Sequence, residues 1–178
     1  MLTIETEAQM TEAAAKEIVN VTTQIKTLLK TPEKKLTDYF KFCPCSMIFC
    51  AVMTVFCVFY ILKFGGDPLI YVCLGVMLLT FVLALVMYRS VNRYKKLLID
   101  KSGKVTVTFD EEGIDYDNHA DRKLKLSWGG TAFIRVLKEC IYVTPKDITS
   151  VMICLKKDYA ESVLRFVNEN NIDVRIIK

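Results

Sequence analysis

The sequence holds a single histidine and a single tryptophan in 178 residues, and it has no Gly-rich phosphate loop, no Gly-x-Ser-x-Gly turn and no His-Glu-x-x-His pair. Those spacings place a nucleophile, a phosphate cradle or a zinc ion, so their absence leaves an enzyme reading without residues. No enzymatic activity, cofactor or metal is expected. His119 lies in the polar run Asp115-Tyr-Asp-Asn-His-Ala-Asp-Arg122, which reads as a solvated hairpin tip. Asp110, Glu111 and Glu112 precede Gly113, the usual make-up of a turn rather than of an acid/base pair or a cation site. The seven cysteines are odd in number and five lie in or beside two apolar runs, so they do not form a disulfide framework and read as small apolar residues. Cys43-Pro-Cys45 is the only tight pair and has no histidine near it.

Charge of one sign is also scarce outside one region. Residues 102–178 carry 12 Lys/Arg and 12 Asp/Glu, and residues 1–38 carry 5 against 6. The other 7 basic and 2 acidic residues sit in or beside the apolar runs, so the net charge of +4 gives no support to nucleic-acid binding. Residues 1–41 lack the basic patch and short apolar stretch of a cleaved leader, and nothing is expected to be removed.

What the chain does have is apolar length. Hydrophobic residues make up 52% of it, and two runs of 21 residues, Phe42 to Leu62 and Pro68 to Tyr88, contain no charge. Each is close to the roughly 20 residues that a helix needs to cross a hydrocarbon layer of about 30 Å. The link between them, Phe64-Gly-Gly-Asp-Pro68, is short and glycine-containing, which suits a tight reversal and leaves no room for a domain. Lys30, Lys34, Lys35 and Lys41 precede the first run, and Arg89, Arg93, Lys95 and Lys96 follow the second. The positive-inside bias then predicts a cell-membrane protein with two spans, both termini cytoplasmic and the link outside. Beyond setting topology, Arg89, Arg93, Lys95 and Lys96 are candidate ligands for anionic lipid headgroups.

Three parts are expected: a cytoplasmic amphipathic helical arm over 1–38, a transmembrane hairpin with a basic extension over 39–101, and a cytoplasmic sheet domain over 102–178. The arm reads as helix from Thr3 to Lys30, with a stripe at Ala14, Ile18, Val21, Ile25 and Leu28 and an end at Thr31-Pro32. In the last part Val105, Val107 and Phe109 alternate with Thr106 and Thr108, and further strands are expected at Ile114–Tyr116, Leu124–Trp128, Phe133–Leu137, Ile141–Thr144, Val151–Leu155 and Val174–Ile177. An amphipathic helix is expected over Tyr159–Val167. Phe109, Leu126, Trp128 and Phe166 are the expected core, with Trp128 structural rather than ligand-facing. The class is α+β: a two-helix hairpin followed by a small antiparallel sheet or open barrel closed by a C-terminal helix. Within the hairpin, Ser46, Cys50, Thr54 and Cys57 are expected to face Cys73, Thr80 and Ala84, small residues that allow close approach in lipid.

Thr108-Phe-Asp-Glu-Glu-Gly-Ile114, then Leu124-Lys-Leu-Ser-Trp128, then an apolar strand leading into Lys156-Lys-Asp-Tyr159, resemble the YcxB-like family of bacterial membrane proteins over roughly residues 40–170. The resemblance implies two membrane helices followed by a cytoplasmic domain like the pleckstrin-homology fold, and it implies no activity. The function expected is that of a membrane-anchored interaction protein presenting its small domain to anionic lipid or to a protein partner, a second copy included. The alternative is a structural subunit that enters a larger membrane complex or pore through its hairpin.

Overall fold

The computed structural model describes residues 1–100, 103–119, 123–147 and 152–177. The chain divides into two compact units, one formed by Met1–Leu36 with Lys95–Lys178 and the other by Thr37–Tyr94. The expected arm of residues 1–38 is therefore no separate segment, since nearly all of it belongs to the unit that holds the sheets.

The reason lies at the extreme N-terminus. Residues Leu2–Glu7 form a strand, β1, where a helix from Thr3 was expected. Leu2, Ile4 and Thr6 alternate with Thr3, Glu5 and Glu7, a period of two, and Ile4 is buried. β1 pairs antiparallel with β2 (Lys104–Phe109) from Leu2 opposite Phe109 to Glu7 opposite Lys104. Helix α1 begins only at Glu12 and runs to Lys30. Thr11 caps it, its Oγ1 accepting a hydrogen bond from the Ala14 amide at 3.2 Å, and it ends ahead of Pro32 as expected.

β2 continues antiparallel into β3 (Gly113–Asp117) and β3 into β4 (Lys123–Ser127), giving a four-stranded sheet in the order β1-β2-β3-β4. A 3-10 turn over Trp128–Gly130 leads to the second sheet, which is built from β5 (Thr131–Val136), β6 (Cys140–Pro145), β7 (Ile153–Lys156) and β8 (Arg175–Ile177). Its order is β7-β6-β5-β8, with only β5 and β8 parallel. Helix α4 (Ala160–Glu169) lies between β7 and β8 in sequence. Val151, where a strand was expected to start, lies outside the described residues, as do residues 120–122 of the polar run.

Every residue of β6 is buried because both faces of the second sheet are covered. Ile141 and Val143 join Ile4, Val107, Phe109, Ile114, Leu126, Trp128, Val163 and Phe166 in the core between the sheets and α4. Tyr142 and Phe133 face the other way, against Val21 and Leu28 of α1. The expected core residues Phe109, Leu126, Trp128 and Phe166 are thus together. Trp128 stacks on Phe109 with ring centroids 6.3 Å apart, and its Nε1 donates to the Asp110 carbonyl at 2.9 Å.

In the other unit, α2 (Tyr39–Phe64) and α3 (Pro68–Ile99) are joined through Gly65, Gly66 and Asp67. Asp38 caps α2 by accepting from the Phe40 amide at 3.1 Å. Gly65 has φ of 81°, and a Cβ on Gly66 would overlap the Tyr71 ring. Both helices are long and apolar enough to cross a membrane. Apart from Met1 and Leu97, every exposed large hydrophobic side chain described lies between Phe42 and Tyr94.

The expected small-residue stripe holds for α2, and in α3 it holds at Ala84 and at Met77, which fills the step between Cys73 and Thr80, but not at Cys73 or Thr80. Cys50 is buried and Ser46, Thr54 and Cys57 are half-buried, but Cys73 and Thr80 are exposed. Besides Met77 and Ala84, the covered side of α3 runs through Ile70, Leu74, Phe81 and Val91. Thr80 donates to the Val76 carbonyl of its own helix at 2.8 Å, so its hydroxyl needs no neighbour and exerts no pull on the helix's rotation.

Candidate functional site: the basic end of the second long helix

α3 does not stop where its apolar run ends. It continues through Arg89, Arg93, Lys95 and Lys96 to Ile99, and a helix sorts these four side chains by angle. At about 100° per residue, Arg89, Arg93 and Lys96 fall within roughly 60° of one another. All three are exposed, together with Ser90, Tyr94 and Leu97, while Val91 is buried and Lys95, Leu98 and Ile99 are half-buried.

Lys95 is set apart from the other three. Its Nζ lies 3.1 Å from Oε1 of Glu12 in the first turn of α1, and its side chain keeps 19% of its exposure. Glu12 also meets Lys16 one turn along at 3.1 Å. Hydrogen bonding to Lys95 first, and to Lys16 second, holds the Glu12 carboxyl below its usual range. Leu98, one turn beyond Lys95, packs with Ala14, Ile18 and Cys140. The four-residue cluster seen in the sequence is therefore three exposed cations on one face and one structural tie to α1. Glu12 was not among the residues singled out in the sequence, where it fell inside a helix expected from Thr3. Its bond to Lys95, 83 residues away, depends on β1 and α1 docking where they do.

The sequence also gave no sign of how the far end of α1 is fixed. Arg135 of β5 donates to the carbonyls of Pro32 and Lys34 at 3.1 and 3.2 Å, and Arg175 pairs with Glu33 at 2.6 Å. Glu17 accepts from the Glu139 amide at 3.0 Å and lies 3.5 Å from Cys140 Sγ. Burial pushes the Cys140 thiol far above its ordinary range, which makes it an unreactive donor rather than a nucleophile.

The other candidates resolve as local structure. Asp110 Oδ1 accepts from the amides of Glu112 and Gly113 at 2.8 and 2.7 Å, and those backbone donors, Gly113 first, hold its carboxyl low. It is a turn acceptor. His119 has φ of 56°, donates its amide to Asp117 at 2.8 Å, and has its Nε2 2.7 Å from Thr106 Oγ1. Beside it an open cavity of about 680 Å³ is lined by Glu5, Glu7, Lys104, Lys156 and Tyr159 among others, where adjacent charges of both signs favour no one ligand. Cys43 is buried and Cys45 exposed, so the pair does not converge. Among the described residues no three His, Cys, Asp or Glu side chains are placed to hold a metal ion.

Comparison with protein-family models and with curated proteins finds no match to this chain. The described residues offer a cation face on the extension of a long apolar helix, and one folded unit built from the segments before and after the hairpin.

Proposed function

We propose that this chain is a non-enzymatic, membrane-anchored interaction protein, in which α2 and α3 cross the bilayer and hold the sheet unit at the inner membrane surface. The observation that carries the reading is connectivity. The segment before the hairpin, Met1–Leu36, and the segment after it, Lys95–Lys178, belong to one folded unit. A single unit cannot close across a bilayer, so the chain must return to the side from which it left. Two apolar helices meet that requirement, and the basic residues flanking both make the shared side the cytoplasmic one.

Exposure supports the same reading. Phe42, Phe49, Phe56, Phe59, Leu79 and Leu83 are each more than half exposed, a continuous apolar surface well beyond what a water-soluble monomer presents. Hydrocarbon removes that penalty. The order of elements, four antiparallel strands, then three, then a helix, also supports a pleckstrin-homology-like unit of the YcxB-like kind, with β8 as an addition. Tethering such a unit to the membrane raises its effective concentration toward anything resident there.

The experiment is cysteine accessibility in whole cells. In a chain with its native cysteines replaced, Asp67→Cys should react with a membrane-impermeant maleimide applied from outside. A cysteine at position 178 should react only after lysis. Labelling of position 178 in intact cells, or extraction of the chain by alkaline wash, would sink the reading.

A further inference from the structure

We propose that the exposed face of α3 carrying Arg89, Arg93 and Lys96 binds the phosphate groups of anionic phospholipids in the inner leaflet, with the two guanidinium groups as its main contacts. The inference rests on α3 being the second span, and it names the molecule that the foot of that span meets.

Depth comes first. Arg89 is the first residue after the charge-free run, so it stands where hydrocarbon gives way to headgroups. With a rise of 1.5 Å per residue, Arg93 lies about 6 Å farther along and Lys96 about 10 Å. The headgroup layer on each side is roughly 5–8 Å thick. Both arginines fall inside it, and the backbone of Lys96 lies about 3–5 Å beyond it, a gap its long side chain can span. Asp100, on the same face, is about 16 Å from Arg89 and clear of the layer. The sign of charge along this face thus follows depth: positive where phosphates lie, negative only beyond them.

Direction comes second. Lys95 is turned to Glu12, whereas Arg89, Arg93 and Lys96 are exposed. Tyr94, 38% exposed, stands about 100° around the helix from Arg93 at nearly the same depth, where a tyrosine with its hydroxyl among headgroups is a common interfacial anchor. Chemistry comes third. Guanidinium presents paired N–H donors that match two phosphate oxygens, which an ammonium group cannot do. Two arginines one helical turn apart can take adjacent lipids or both sides of one headgroup. A basic stripe serving topology alone has no need of arginine, of alignment or of exposure.

The test uses the full-length protein, purified in mild detergent, stripped of lipid and titrated with phosphatidylglycerol or phosphatidylcholine. Retained lipid is counted by native mass spectrometry. Phosphatidylcholine carries the same phosphate shielded by its own choline cation, so the wild type should retain phosphatidylglycerol preferentially. Arg89→Gln with Arg93→Gln should weaken that retention by about fivefold per removed charge. Arg89→Lys with Arg93→Lys keeps both topology charges and should still weaken retention severalfold. Lys63→Gln, at the opposite end of the hairpin, should change nothing. Equal retention of the two lipids, selectivity that survives the double glutamine variant, a lysine variant that binds like the wild type, or displacement by free inorganic phosphate as effectively as by lipid would each overturn the proposal. A chain that resists alkaline extraction yet shows no lipid preference refutes this inference alone. A chain that washes off refutes the membrane reading beneath it.

Discussion

Gly113 and Gly129 are both small residues near the β4 corner, and the structure predicts opposite results for them. A Cβ on Gly113 would overlap the carbonyl oxygen of Leu126 and sit 2.8 Å from the Cα of Ser127. Both obstacles are backbone of β4, directly opposite in register, so no rotamer change relieves them. β4 must retreat by about an ångström, a strain of the kind that costs 1–3 kcal/mol in overpacked cores. The retreat also weakens the Trp128 amide bond to the Glu112 carbonyl, already 3.2 Å, at about 1 kcal/mol. Gly113→Ala should therefore destabilise the sheet unit by about 2–4 kcal/mol, a fall in Tm on the order of 10 °C for a unit of this size. Gly129 has nothing within 4 Å of its Cβ position, and Gly129→Ala should be neutral or slightly stabilising. The assay is a melt of Met1–Leu36 joined by a flexible linker to Lys95–Lys178, followed by far-ultraviolet circular dichroism. Equal melting of the two variants would refute the close approach of β3 and β4.

Trp128→Ala in the same unit should cost about 3–5 kcal/mol, the usual loss for emptying a large aromatic site, while Trp128→Phe should cost much less, chiefly the bond to Asp110; an unchanged melt for the alanine variant would place the ring on the surface. Tyr142→Phe should be neutral or stabilising, since the buried Tyr142 hydroxyl has no well-formed hydrogen bond among the described residues and the nearby Arg135 guanidinium points donors at the Pro32 and Lys34 carbonyls; a loss above about 1 kcal/mol would show that the remaining Arg135 donors reach it. Asp110 and Asp117 have carboxyls held below their ordinary range by backbone donors. Their stabilisation is full above the unfolded value of about 4 and is lost as pH falls through the lower folded values, so Tm should drop below about pH 4 and Asp110→Asn should flatten that acid limb. A Tm constant down to about pH 3 would contradict it.

The two long helices were legible because a charge-free run of 21 residues has few other physical solutions. β2 and β7 were legible because one face of each is buried and the alternation survives in the sequence, and β6, buried on both faces, because its run is apolar and β-branched. β1 was not, because its six residues adjoin good helix formers and its partner lies about a hundred positions away, where no local period can point to it. The angular sorting of Arg89, Arg93 and Lys96 was implicit in their spacing. That Lys95 belongs to a different task was not, since it depends on where Glu12 docks. The rotation of α3 was misread because small residues were credited with an attraction that Thr80 satisfies within its own turn.

The placement of the hairpin between β1 and β2 bears on how the protein is made. β1 and α1 leave the ribosome ahead of the hairpin, and the strand that β1 must pair with emerges only after both apolar helices have been synthesised. Until then the unit lacks an edge, and the α1 docking face of the second sheet, with Phe133 and Tyr142, has yet to be made. In the proposed membrane topology, a second helix that failed to return through the bilayer would leave β1 and α1 on one side and β2 to β8 on the other. The chain then displays a bare strand edge and an uncovered aromatic face, the kind of surface that proteases and chaperones engage. A correctly threaded molecule hides both, so, if α2 and α3 cross a membrane as proposed, the insertion point makes that crossing a precondition for a finished fold.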